Sequence, residues 1–215
     1  MRESLARCCG ADAPLYERVE SALVAADFPA AAQALDALPK PREGAQQLYA
    51  AQAALRLAGY VGEGLEARPL LAAAERSHAM LGDDEEWPRL WYILAWLCAP
   101  FACGMLIDAF YVYHSAMCLP QASMRQQCLP LAVQYGVHFE QQHFTAHLLQ
   151  QYPFSAEHVA GQFDQLRIDL LISVFQHDTA KAQLASQKLS QEARTPLESF
   201  IAARLKADYS YLISS

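Results

Sequence analysis

The chain has 215 residues, 53% of them hydrophobic and 18% charged, with a formal charge of -7. The high hydrophobic content excludes intrinsic disorder, and Gly 9 with Pro 11 excludes a collagenous chain. The acidic balance argues against nucleic acid or an anionic membrane as partner, and a chain of this length can bury a core without disulfide or metal.

Residues 1–12 carry charges but no apolar stretch of signal-peptide length. They are expected to be a flexible N-terminus ahead of one domain spanning 13–215 in a cytoplasmic protein. The six cysteines, at 8, 9, 98, 103, 118 and 128, form no C-x-x-C pair and read as buried reduced thiols. From Leu15 onward the apolar spacing is helical. Leu15, Val19, Ala22 and Ala26 recur at three- and four-residue steps, as do Leu48, Ala51, Leu55 and Ala58. Leu71, Ala74, His78 and Leu81 follow, then Phe163, Leu166, Leu170 and Val174. No sustained two-residue alternation occurs, so the expected class is all-α.

Short turns are expected at Asp27-Phe28, Gly59-Tyr60, Pro100-Phe101, Tyr135-Gly136 and His177-Asp178. Wider breaks fall near 39–41, 82–84, 119–122, 152–155 and 193–196. Ser155 can cap the helix after Pro153, and Asp83 and Asp84 can oppose a helix dipole. The run Thr195-Pro196-Leu197-Glu198 combines a capping box with proline at the first helical position. The breaks divide the chain into antiparallel hairpins at 13–38, 41–81, 85–118, 121–152 and 156–193, with a last helix at 196–213. Leu90 to Ile107 is uncharged over 18 residues, the lower edge for a membrane span. Pro100, the nearby acids and the missing basic flank argue against insertion.

The segments Ala26-Asp27-Phe28-Pro-Ala-Ala31, Leu57-Ala58-Gly59-Tyr60 and Gln176-His177-Asp178-Thr-Ala-Lys-Ala182 resemble the turns of tetratricopeptide (TPR)-like helical repeats. The resemblance implies a stack of about five hairpins plus a C-terminal capping helix; an irregular α-helical bundle is the alternative. It also implies a scaffold that grips a protein or peptide in a groove and carries no chemistry or cofactor. Such a module would act as an adaptor, chaperone or regulator. The Ala- and Leu-rich usage suits a GC-rich bacterial genome.

Candidate sites follow from aromatic and histidine placement. Trp87, Trp91 and Trp96 lie along overlapping faces of one helix within a run that continues through Tyr92, Phe101, Phe110, Tyr111 and Tyr113. Trp87 and Trp91 can anchor a partner segment, and Arg89 suits a carboxylate on it. His138, His143 and His147 cluster further on and can line a groove. The acidic surface favours a basic or amphipathic helix as partner. A second reading rests on two Glu-x-x-His motifs, Glu75 with His78 and Glu140 with His143. Each has an acid 32 residues upstream, Glu43 (75 − 43) and Asp108 (140 − 108). The layout is similar to that of ferritin-like di-metal oxidoreductases, in which Glu75, His78, Glu140 and His143 would be ligands.

Overall fold

A computed structural model describes residues 2–40, 42, 44–62, 64–81, 85–151 and 161–213. Pro41, Glu43, Asp83, Asp84, Pro153 and Ser155, which carried expected breaks, caps or ligands, lie outside these residues. Among the described residues the secondary structure is all-α, with no strand. The helices gather into two compact units, 1–120 and 121–215, where the sequence suggested one domain over 13–215.

The first unit holds α1 (Arg2–Cys9), a 3-10 turn, α2 (Ala13–Val24), α3 (Phe28–Asp36), α4 (Gly44–Val61), α5 (Ala67–Leu81), α6 (Glu86–Cys103) and α7 (Ala109–Met117). The N-terminus is not the flexible segment expected of it. Leu5 and Cys9 of α1 are 1% and 4% exposed and join the core with Tyr16, Val19, Leu23, Leu48 and Tyr49. Burial lifts the Cys9 thiol to about 12, with Cys8 and Asp12 adding to the effect, so the thiol stays protonated and unreactive. Hairpin partners α2 and α3, then α4 and α5, pack together, and α4 also packs along α6. Ala50, Ala51 and Ala53 allow close helix approach, since alanine adds little beyond the helix backbone.

The second unit holds α8 (Ala122–His138), α9 (Gln142–Gln151), α10 (Gln162–Phe175), α11 (Thr179–Glu192), α12 (Pro196–Asp208) and α13 (Ser210–Ile213). Helix α8 packs on α9, α10 on α11, and α8 on α10. Its buried side chains include Met124, Leu129, Val133, Phe144, Ile168, Leu171, Leu189, Leu205 and Tyr209. The capping box at Thr195 and Glu198 forms as the sequence indicates, with Glu198 N–H donating to Thr195 Oγ1 at 3.1 Å.

One turn recurs three times. After α2, α8 and α10 a non-glycine residue adopts a left-handed conformation: Ala26 (φ 53°), Glu140 (φ 53°) and His177 (φ 55°). The next amide reaches back five residues in each case. Asp27 N–H donates to the Ala22 carbonyl at 2.9 Å, Gln141 to Gly136 at 2.8 Å and Asp178 to Ser173 at 2.9 Å. A second amide, from Ala26, Glu140 or His177, closes on the carbonyl three residues back. This is the Schellman closure, which satisfies the last carbonyls of a helix from the backbone alone. Asp27 and Asp178 then cap the following helices, accepting from Ala30 and Lys181 N–H at 3.1 Å.

Three expected turns lie elsewhere. Gly59 falls inside α4, which runs on to Val61, and a side chain there would meet Phe101 Cβ at 3.2 Å. Gly136 falls inside α8, where an added Cβ would collide with the Thr145 hydroxyl of α9. Both glycines serve close packing rather than a turn. Helix α6 passes through Pro100 and ends at Gly104, left-handed at φ 70°, whose amide donates to the Pro100 carbonyl at 2.7 Å. No helix among the described residues is long and apolar enough to cross a membrane.

Candidate functional site

Helix α6 sorts its aromatic residues by rotation. Leu90, Trp91, Leu94, Ala95, Leu97 and Cys98 point into the first unit, while Arg89, Tyr92 and Trp96 form a half-buried stripe. Trp91, 3% exposed, packs edge-on against Tyr49 at 5.4 Å, and Tyr49 packs edge-on against Tyr16 at 5.1 Å. Trp91 is therefore core and presents no surface to a partner, contrary to its expected role. Tyr113 is likewise fully buried. Trp87 is half-buried and packs against the same core, and Arg89 beside it is half-buried.

The outward stripe meets α5 and α7. His78 stacks on Tyr92 with ring centres 4.2 Å apart and planes 20° from parallel. The Trp96 indole N–H donates to the Tyr92 hydroxyl. Burial pushes the Tyr92 phenol up; the Trp96 bond opposes this, and the Glu75 carboxylate and Tyr111 add to it. Beyond this cluster the α6–α7 connection and the start of α7 expose Leu106 (63%), Phe110 (41%) and Tyr111 (66%). These three lie within six positions of one another, the densest set of exposed large hydrophobic side chains along the sequence among the described residues. The site therefore comprises Glu75, His78, Tyr92, Trp96, Leu106, Phe110 and Tyr111. Of the residues on α6 that the sequence offered for partner contact, Trp91 is buried, while Trp87 and Arg89 are half-buried.

The three candidate groove histidines, His138, His143 and His147, belong to the second unit. His138 ends α8 and is exposed, with its ring 4.9 Å from Phe139; on α9, His143 is exposed and His147 half-buried. Glu140 occupies the left-handed turn between the helices, so Glu140 and His143 do not share a helix face. Glu75 and His78 do share α5, but that helix belongs to the other unit. Asp108 is committed to capping α7, its carboxylate accepting from Tyr111 N–H at 3.1 Å. Among the described residues no three His, Cys, Asp or Glu side chains gather to hold a metal ion.

The sequence reading missed a buried polar network. Tyr49 O–H donates to Glu20 Oε1 at 2.8 Å, and Arg56 Nη2 meets the same oxygen at 2.7 Å. Burial is the largest single influence and works against the Arg56 charge, but Glu20, Tyr60 and Tyr49 together overcome it and raise the guanidinium. The available signal was Arg56 itself, the single charged residue in α4. Arg167 plays a similar part in the second unit, donating to Gln134 and lying 3.9 Å from Asp164.

Comparison with protein-family models, with curated proteins and with solved structures finds no match.

Proposed function

We propose that the chain is a non-catalytic helical-repeat module that captures a protein or peptide, serving as an adaptor, chaperone or regulator. Two features support the repeat. The same Schellman turn closes three hairpins, and its left-handed residues in the second unit are 37 apart (177 − 140), near a TPR-like period. In both units alternate helices also pack side by side, α4 with α6 and α8 with α10.

The observation that carries the binding role is the exposed Leu106, Phe110 and Tyr111 beside half-buried Tyr92 and Trp96. An amphipathic helix fits this surface. Its apolar stripe would cover the exposed side chains, and its lysines or arginines would meet Glu75 and the aromatic faces. The overall charge of -7 favours a basic partner in approach. The test is parallel capture from native lysate with the wild-type chain and a Leu106→Glu/Tyr111→Glu variant. A protein retained by the first and lost by the second, with both chains equally helical, supports the reading. Identical captures, or none by either chain, refute it.

A further inference from the structure

We propose that a second binding site lies in the 121–215 unit, in the groove between α11 and α12–α13, and that it takes an extended peptide segment bearing a carboxylate. The inference is independent of the aromatic surface in the 1–120 unit. The groove encloses about 420 Å³ and is lined by Gln183, Ser186, Gln187, Ser190, Gln191, Lys206 and Ile213. Its α11 wall is uncharged and polar over two helical turns.

The spacing of that wall identifies the occupant. Gln183, Gln187 and Gln191 recur at every fourth residue, so their carboxamides climb the helix by about 6 Å per step. An extended strand repeats its backbone direction every two residues, roughly 6.6–6.8 Å. A carboxamide offers one acceptor and two donors, the same pairing that a peptide group seeks. Three carboxamides in this row match alternate peptide groups of a segment of about six residues, and the flexible glutamine stems absorb the small difference in pitch. The Ser190 hydroxyl donates to the Ser186 carbonyl at 3.0 Å, which turns its lone pairs outward as a further acceptor. Ser186, 3% exposed, sets the floor.

Lys206 supplies the charge preference. It is exposed on the α12 wall and, among the described residues, is the one charged side chain lining the groove. An acidic side chain on the segment complements it. Main-chain pairing provides affinity and the lysine fixes register, the division of labour seen when a strand adds to a sheet edge. The groove has no aromatic face on which a sugar ring would stack.

The test begins with a display library of random ten-residue peptides selected against the full chain. Selected peptides are titrated while the side-chain amide signals of Gln183, Gln187 and Gln191 are followed by NMR. The expected result is an acidic peptide that shifts those signals and binds about tenfold more weakly to Gln187→Ala. The Lys206→Glu variant should bind at least tenfold more weakly, since it sets like charges together. N-methylation of alternate peptide bonds should weaken binding by a similar factor, while Tyr111→Ala, on the separate aromatic surface, leaves it unchanged. Both groove substitutions are at exposed positions, and circular dichroism checks that helix content is kept. Selected peptides that leave the three glutamine signals in place overturn the proposal, as does a selection yielding no binder. So does binding insensitive to N-methylation, or equal shifts from a neutral hexasaccharide.

Discussion

The Glu20–Arg56 pair offers a quantitative test of how the first unit is held together. Their side chains are 12% and 19% exposed, so each charge keeps only a little water and depends on the other. Removing one partner of a fully buried pair costs about 3–5 kcal/mol, and the residual exposure here lowers that to roughly 2–3 kcal/mol. Glu20→Leu strands the guanidinium, whose Nε already lacks a hydrogen-bond partner. Arg56→Met strands the carboxylate with only the Tyr49 hydroxyl. The double variant strands neither, because Tyr49 O–H keeps the Tyr16 carbonyl at 3.2 Å. It should be destabilised by about 1 kcal/mol or less, giving a coupling of at least ~3 kcal/mol. Urea unfolding followed by tryptophan emission is the assay, since Trp87, Trp91 and Trp96 all sit on α6 and report the 1–120 unit. Additive losses, with a coupling below about 0.5 kcal/mol at unchanged m-values, would show that the pair is not energetically linked.

Three further outcomes follow. Burial lifts Tyr16 to about 12 from 10.0 and Cys9 to about 12 from 9.0, and also raises Tyr49 and Tyr209. Raised acids favour the fold fully below their unfolded values and lose that contribution as pH climbs through the folded ones. Helix content should therefore fall between pH 9 and 12 together with a late step in phenolate absorbance; early titration of every tyrosine with the helices intact would contradict the burial. His177→Gly relieves a left-handed β-carbon and should stabilise the second unit by roughly 0.5–1 kcal/mol, read as a raised thermal midpoint. Gly136→Val drives a side chain into Thr145 and Phe144 and should cost about 2–3 kcal/mol, whereas Gly64→Ala, with open space around it, should change little in the same melt.

The helical class was legible because alanine and leucine recur at helical spacing through nearly every element. The partition into hairpins was legible too: 13–38 contains α2 and α3, 41–81 contains α4 and α5, and 85–118 contains α6 and α7. Glycine was the residue most easily misread. At positions 59 and 136 its missing side chain serves a helix crossing, and spacing along one chain says nothing about what lies across from it. The aromatic site failed for a related reason. Trp91 and Tyr92 differ by one step, about 100° of rotation, and with large rings on both sides hydrophobicity does not tell inward from outward. Arg56 stood out in its helix, but its partner Glu20 lies 36 residues away and only folding joins them.

The turns that close after α2, α8 and α10 do so through amide and carbonyl groups that nearly every residue possesses. Alanine, glutamate and histidine stand at equivalent corners with the same bonds formed. Such corners ask little of the side chain that occupies them, because the bonds that close them belong to the main chain. The bends are thus set by where the main chain turns rather than by which residue stands there.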